Sequence, residues 1–187
     1  ATLALHDALT LNQTQSTALN VLSEGVLQAP ASLLTADNKV LVNYVIGAND
    51  SAHVQRGIWE PRFTEDHTHD LTSPVNQALT NRFETVRVVS DETVTLTGGQ
   101  SAQLDVQAGG TLQTTETTTV QNALTVAASG ALKVAGTLAL ASDNADAAWL
   151  ARLTLAQGAN VTLEDGASIR LGKGSLVTDA TVLSTTT

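Results

Sequence analysis

Thr-Val-Thr-Leu-Thr-Gly-Gly (93–99), Gln-Leu-Asp-Val-Gln-Ala-Gly-Gly (103–110), Ala-Leu-Thr-Val-Ala-Ala-Ser-Gly (123–130) and Ala-Leu-Lys-Val-Ala-Gly (131–136) stand close together in the second half of the chain. Leu-Thr-Leu-Ala-Gln-Gly (153–158), Val-Thr-Leu-Glu-Asp-Gly (161–166) and Ser-Ile-Arg-Leu-Gly (168–172) continue the series. Each unit is a short apolar/polar alternation, the pattern of a half-buried strand. Each closes on glycine, which punctuates strands with turns. Leu96, Leu104 and Leu112 are evenly spaced, Leu124 and Leu132 keep the interval, and the spacing then drifts. Short strands at such spacing fit a sandwich, a barrel or a parallel β-helix. Their brevity favours a β-helix or a related elongated stack. The pattern builds shape and surface rather than an active site.

Composition agrees. Aromatic residues make up 3% of the chain and the apolar 42% is mostly Leu, Val and Ala, which suit a narrow layered interior. Charged residues are only 14%, well below the usual quarter, so many surface side chains must be neutral and polar. The net charge of −9 and the scattering of the nine basic residues argue against nucleic acid as a partner, since phosphate neutralisation needs clustered Lys and Arg. There is no Cys, hence no disulfide and no thiolate metal site. No apolar run reaches the roughly 18–20 residues that span a bilayer, so membrane insertion is not expected.

Two regions are expected. Residues 1–84 hold four of the five aromatics (Tyr44, Trp59, Phe63, Phe83), all three prolines and all four histidines. They read as a β-rich anchoring module with strands at Ala8–Asn12, Thr17–Leu22 and Lys39–Ile46. Few strand signals occur over 47–80, which predicts a long loop or arm. Residues 85–187 read as the repetitive short-strand module. Within it, Asp143–Arg152 breaks the pattern with helix-favouring residues behind Asp and Asn caps, which would seat Trp149 on the stack. The fold class expected is therefore all-β: an N-terminal β-rich module followed by a short-strand β-helix-like or elongated β-stack. Open strand edges invite further pairing, so a homo-oligomer, a trimer above all, is expected.

The strongest local cluster is Glu65-Asp66-His67-Thr68-His69-Asp70. On an extended segment, His67 and His69 face the same way, and two imidazoles on one face could ligate a divalent metal. One chain supplies few further ligands. With one His-x-His pair from each chain of a trimer, an ion on the oligomer axis would be enclosed. The plain alternative is a solvated polar loop. Trp59, Arg62 and Phe63 in Gly-Ile-Trp-Glu-Pro-Arg-Phe (57–63) are candidate interface anchors, with a core position for Trp59 equally open. The adjacent acid pairs Glu65/Asp66, Asp91/Glu92 and Glu164/Asp165 would point to opposite faces of a strand, which suits no general acid/base chemistry. Gly172-Lys173-Gly174-Ser175 lacks the spacing and the hydroxyl residue of a phosphate loop. No catalytic constellation emerges, and a non-enzymatic protein is expected.

The Gly-closed Leu-x-Val/Leu units of 93–176 resemble the passenger domains of bacterial autotransporter adhesins and the shafts of bacteriophage fibres. His-x-His also resembles the metal-binding motif of some phage tail fibres and spikes. Asp7-Ala8-Leu9-Thr10-Leu11-Asn12 through Leu19-Asn20-Val21-Leu22 is similar to the opening of cadherin-like repeats in bacterial surface adhesins, although Ser23-Glu24 replaces their usual Asn-Asp pair. These resemblances imply a structural protein of a virion surface, a capsid decoration or a tail or head fibre, attached through its N-terminal region. The alternative is an adhesin passenger fragment at the bacterial cell surface or outside the cell. Partners implied are further copies of the chain and other virion or cell-surface proteins.

Overall fold

The computed structural model describes residues 1–7, 17–34, 40–43, 54–140, 152–171, 175–178 and 183–185. The strand expected over Ala8–Asn12, both ends of Lys39–Ile46, the break at 143–151 with Trp149, and the turn at 172–174 lie outside these residues.

The described chain is all-β and its strands pair in parallel. The first sheet contains, in hydrogen-bonded order, β1 (Thr2–Ala4), β3 (Val26–Ala29), β5 (Ile58–Pro61), β7 (Thr85–Val88), β9 (Gln103–Val106), β11 (Leu124–Val126), β14 (Arg152–Leu155) and β17 (Ser175–Thr178). The second holds β6 (Thr68–Leu71), β8 (Thr93–Gln100), β10 (Thr111–Val120), β12 (Ala131–Val134), β13 (Thr137–Leu140), β15 (Asn160–Leu163), β16 (Ser168–Leu171) and β18 (Leu183–Thr185). A small pair joins β2 (Thr17–Leu19) to β4 (Val40–Val42). Among the described residues there is one α-helix, α1 (Pro74–Thr80), and one short 3-10 turn, Ala31–Leu33.

The second sheet forks. Thr111–Thr114 of β10 lies between Thr93–Leu96 of β8 and β12, whereas Thr117–Val120 lies beside β13 and the end of β8. Glu116, with φ of 53°, bends the strand between its two halves. The chain thus steps across three faces in turn: the first sheet, then each branch of the fork. α1 packs against β8 and β6. Its side chains bond the last residues of β8: Thr80 Oγ1 donates to Gln100 Oε1 at 2.8 Å and Asn81, its C-cap, donates to Gly99 O at 3.2 Å. The helix begins where Ser73 Oγ accepts from Asn76 N at 3.3 Å and Pro74 presets its first turn.

Register turns the alternation into columns. Leu27, Trp59, Val86, Leu104, Leu124 and Leu153 stack along the first sheet, and all are buried. Along one branch of the fork His69, Val94, Leu112, Leu132 and Val161 stack in the same way. Thr118, Leu138 and Ile169 line the other. These columns form one continuous core. The even leucine spacing of the sequence is the step from face to face: Leu104 to Leu112 and Leu124 to Leu132 each cross from the first sheet to the second.

The corners after β7, β9, β11 and β14 repeat too. Asp91, Gly109, Ser129 and Gly158 all take positive φ, and each of the first three donates its N–H to the next one's carbonyl over 2.9–3.1 Å. Gly110 follows at the inner side of this corner, where a Cβ would lie 2.6 Å from Val88 O and 3.0 Å from Val89 O.

The division at 84/85 does not interrupt the sheets. β7 pairs with β5 on one side and β9 on the other, and β6 pairs with β8. The 47–80 stretch expected as a loop or arm carries β5, β6 and α1 within its described part. Its polar and proline residues concealed short strands whose partners are distant in sequence.

Candidate functional site

His67 and His69 meet through a third residue. β6 alternates outward Thr68 and Asp70 with inward His69 and Leu71, so His69 enters the core column that Val94 and Leu112 continue. His67 precedes the strand with φ of 57°. That left-handed conformation breaks the period-two relation on which a shared face depended. The His67 side chain is 60% exposed and that of His69 only 1%. Both approach Glu92: His69 Nε2 lies 2.8 Å from Oε2 and His67 Nδ1 lies 3.3 Å from Oε1. Neutral imidazoles protonated on those nitrogens donate to the carboxylate, and the contacts become ion pairs when the rings are protonated.

Glu92 is buried, at the corner position that Gly110, Gly130 and Ala159 occupy in the following layers. A carboxylate where other layers place small residues needs partners for its charge, and the two histidines supply them. The departure from the Gly/Ala pattern was the sequence signal for Glu92. It becomes readable only once the corners are aligned. Among the described residues no group of three or more His, Cys, Asp or Glu is arranged to hold a metal ion. Beside this cluster, Asp66 accepts from Thr68 Oγ1 at 2.7 Å and from Thr68 N at 3.1 Å. These two bonds hold its carboxyl below the ordinary aspartate range.

The interface candidates separate. Trp59 is fully buried, stacks on Phe83 at 5.5 Å and donates Nε1–H to Ala29 O at 3.0 Å. Its area is spent inside the chain, which leaves nothing of it for a partner. Phe63, at φ of 67°, is half-buried under His6, whose ring centroid lies 3.8 Å away. Arg62 reaches Glu60 at 3.5 Å.

Arg62 belongs to a larger feature that sequence reasoning missed. Register pairs Gln28 with Glu60 and Arg87 with Asp105, and an ion pair joins Glu60 to Arg87, so the four form a row on the face of the first sheet opposite its buried column, with Glu60 itself covered. Gln28 Nε2 donates to Glu60 Oε1 at 2.9 Å, Arg87 lies 3.6 Å from Glu60 Oε2 and 3.5 Å from Asp105 Oδ2, and Gln107 donates to Asp105 at 3.0 Å. The row crosses 84/85, and its members are too far apart in sequence to be recognised as a group.

A cavity of about 280 Å³ opens beside β1 and β3 of the first sheet, lined by Leu3, Leu19, Val21, Leu22 and Val26 among others. Leu3 and Leu22 are exposed there. Comparisons of this chain with protein-family models, with curated proteins and with solved structures find no match.

Proposed function

We propose that the chain is a β-helix that serves as a non-enzymatic structural protein of a virion surface, a capsid decoration or a tail or head fibre, attached through its N-terminal region and associated with itself as a trimer. The observation that carries this reading is the parallel register of the first sheet, which keeps one buried column from Leu27 to Leu153. Each added layer lengthens such a stack by about 4.8 Å while changing little of its chemistry. That suits a shaft or spacer. The apolar cavity and the exposed Leu3 and Leu22 support attachment at the N-terminal end, because clustered apolar surface marks contact sites.

Native mass by light scattering, with and without a chelator, tests self-association of the full chain. A trimer is expected. A trimer that dissociates on chelation would assign the exposed His67 to a metal on the oligomer axis. A monomer overturns the trimer and favours the adhesin reading. Immunogold labelling with antibody to residues 85–187 tests location: signal on particles is expected, and signal confined to a bacterial envelope overturns the virion assignment.

A further inference from the structure

We infer that the outward row Gln28–Glu60–Arg87–Asp105, with Arg62 and Gln107 beside it, binds an extended neutral polysaccharide, a β-linked hexose chain lying along the stack. This does not depend on where the protein is displayed. Hydroxyl groups donate and accept at once, so their receptor needs both functions close together. The row mixes them: Arg87 stands between the carboxylates of Glu60 and Asp105, Arg62 lies beside Glu60, and Gln28 and Gln107 add amides. Opposite charges balance, which suits a neutral ligand better than an anion.

The arginines retain donor capacity. Their contacts with Glu60 and Asp105 span 3.5–3.6 Å, beyond ordinary hydrogen-bond length. Nε of Arg62 and Nε of Arg87 have no hydrogen-bond partner, and Thr64 Oγ1, two residues beyond Arg62, has none either. Only Thr114 Oγ1, far away in the core, shares that condition among the described residues. Of the four buried side-chain polar atoms without a partner among the described residues, three thus lie on Arg62, Thr64 and Arg87. Buried polar atoms are seldom left unpaired without a reason, and a ligand that draws the guanidinium groups round to its hydroxyls would supply the missing partners. Side chains at 27–35% exposure for Arg62, Arg87 and Asp105 remain within reach of it.

Spacing gives the ligand its form. Successive row members sit one strand apart, about 4.8 Å, which is of the order of one pyranose ring. A ribbon-like β-linked chain keeps pace with a straight row, whereas a helical α-linked chain curves away from it.

The test is titration of the full chain with cellohexaose, following the Arg Nε–H resonances by ¹⁵N NMR, with maltohexaose as the comparison. Shifts of Arg62 and Arg87 signals at millimolar cellohexaose are expected, with weaker response to maltohexaose. Asp105→Asn and Arg87→Gln should each weaken binding roughly tenfold, and Arg170→Gln on β16 should not. The melting temperature of Asp105→Asn checks that its fold is kept. No shift with cellohexaose, or unchanged affinity in folded Asp105→Asn, overturns the assignment. Equal response to maltohexaose overturns the spacing argument on which it stands. Neither outcome alters the mass that tests self-association.

Discussion

At the scale of single residues, the polar groups inside the stack are unequal. Glu92 and His69 satisfy each other, and Gln100 bonds Thr80 and Thr97 O. Thr114 is different: it occupies the column of Leu96 and Val134, is buried, and its hydroxyl has no partner. An unpaired buried hydroxyl costs about 1–3 kcal/mol. Thr114→Val keeps the branched shape and removes that cost, so the variant should gain about 1 kcal/mol in urea unfolding. A loss would mean that the hydroxyl has a partner in solution. Asp66 is the contrasting surface case. Its depressed pKa means that the folded state favours the carboxylate, so the contribution is full above the ordinary aspartate pKa and fades as pH falls through the folded value. Thr68→Val should return the Asp66 titration, followed by carbonyl ¹³C shifts, towards the ordinary range by removing the hydroxyl donor. An unmoved titration would place the cause elsewhere.

At the scale of elements, the corners decide how closely layers approach. Gly110 is buried between β9 and β10, and any Cβ there meets the backbone of Val88 and Val89. Backbone cannot swing aside as a side-chain end can, so Gly110→Ala should cost about 1–3 kcal/mol. A neutral result in urea unfolding would show that the layers separate easily. The same corners explain what the sequence made legible. Apolar/polar alternation with terminal Gly located β9, β11, β12, β14, β15 and β16, because every signal there is local. It did not resolve the fork in β10, since Thr115 to Thr119 alternate no apolar residue and the bend at Glu116 depends on the layers beside it. It missed β5 and β6 because Glu60, Pro61, His69 and Asp70 stand where strand formers would be expected. His69 was singled out from its spacing to His67, yet its carboxylate partner lies 23 residues away. Such a pairing follows from register, which no local pattern carries.

At the scale of the molecule, composition and connectivity point in opposite directions. Aromatics, prolines and histidines concentrate before residue 85, which reads as a separate module. The hydrogen bonds instead carry both sheets across that point, and Arg87 links Glu60 on one side to Asp105 on the other. In a stack of layers, stability is close to a sum of each layer's own term and its contacts with its neighbours. Cutting at 84/85 removes β5 from β7, and removes both β6 and α1 from β8. It also uncovers Val86 and Val94, which are now fully buried. The exposed parallel edges would then seek other partners. A fragment of residues 85–187 should therefore unfold at a lower urea midpoint than the whole chain and should associate as its concentration rises. Circular dichroism across a urea series, with sedimentation at several concentrations, measures both. An unchanged midpoint in a monomeric fragment would show that the layers after residue 85 stand by themselves, and that the compositional boundary marks a real domain despite the continuous sheets.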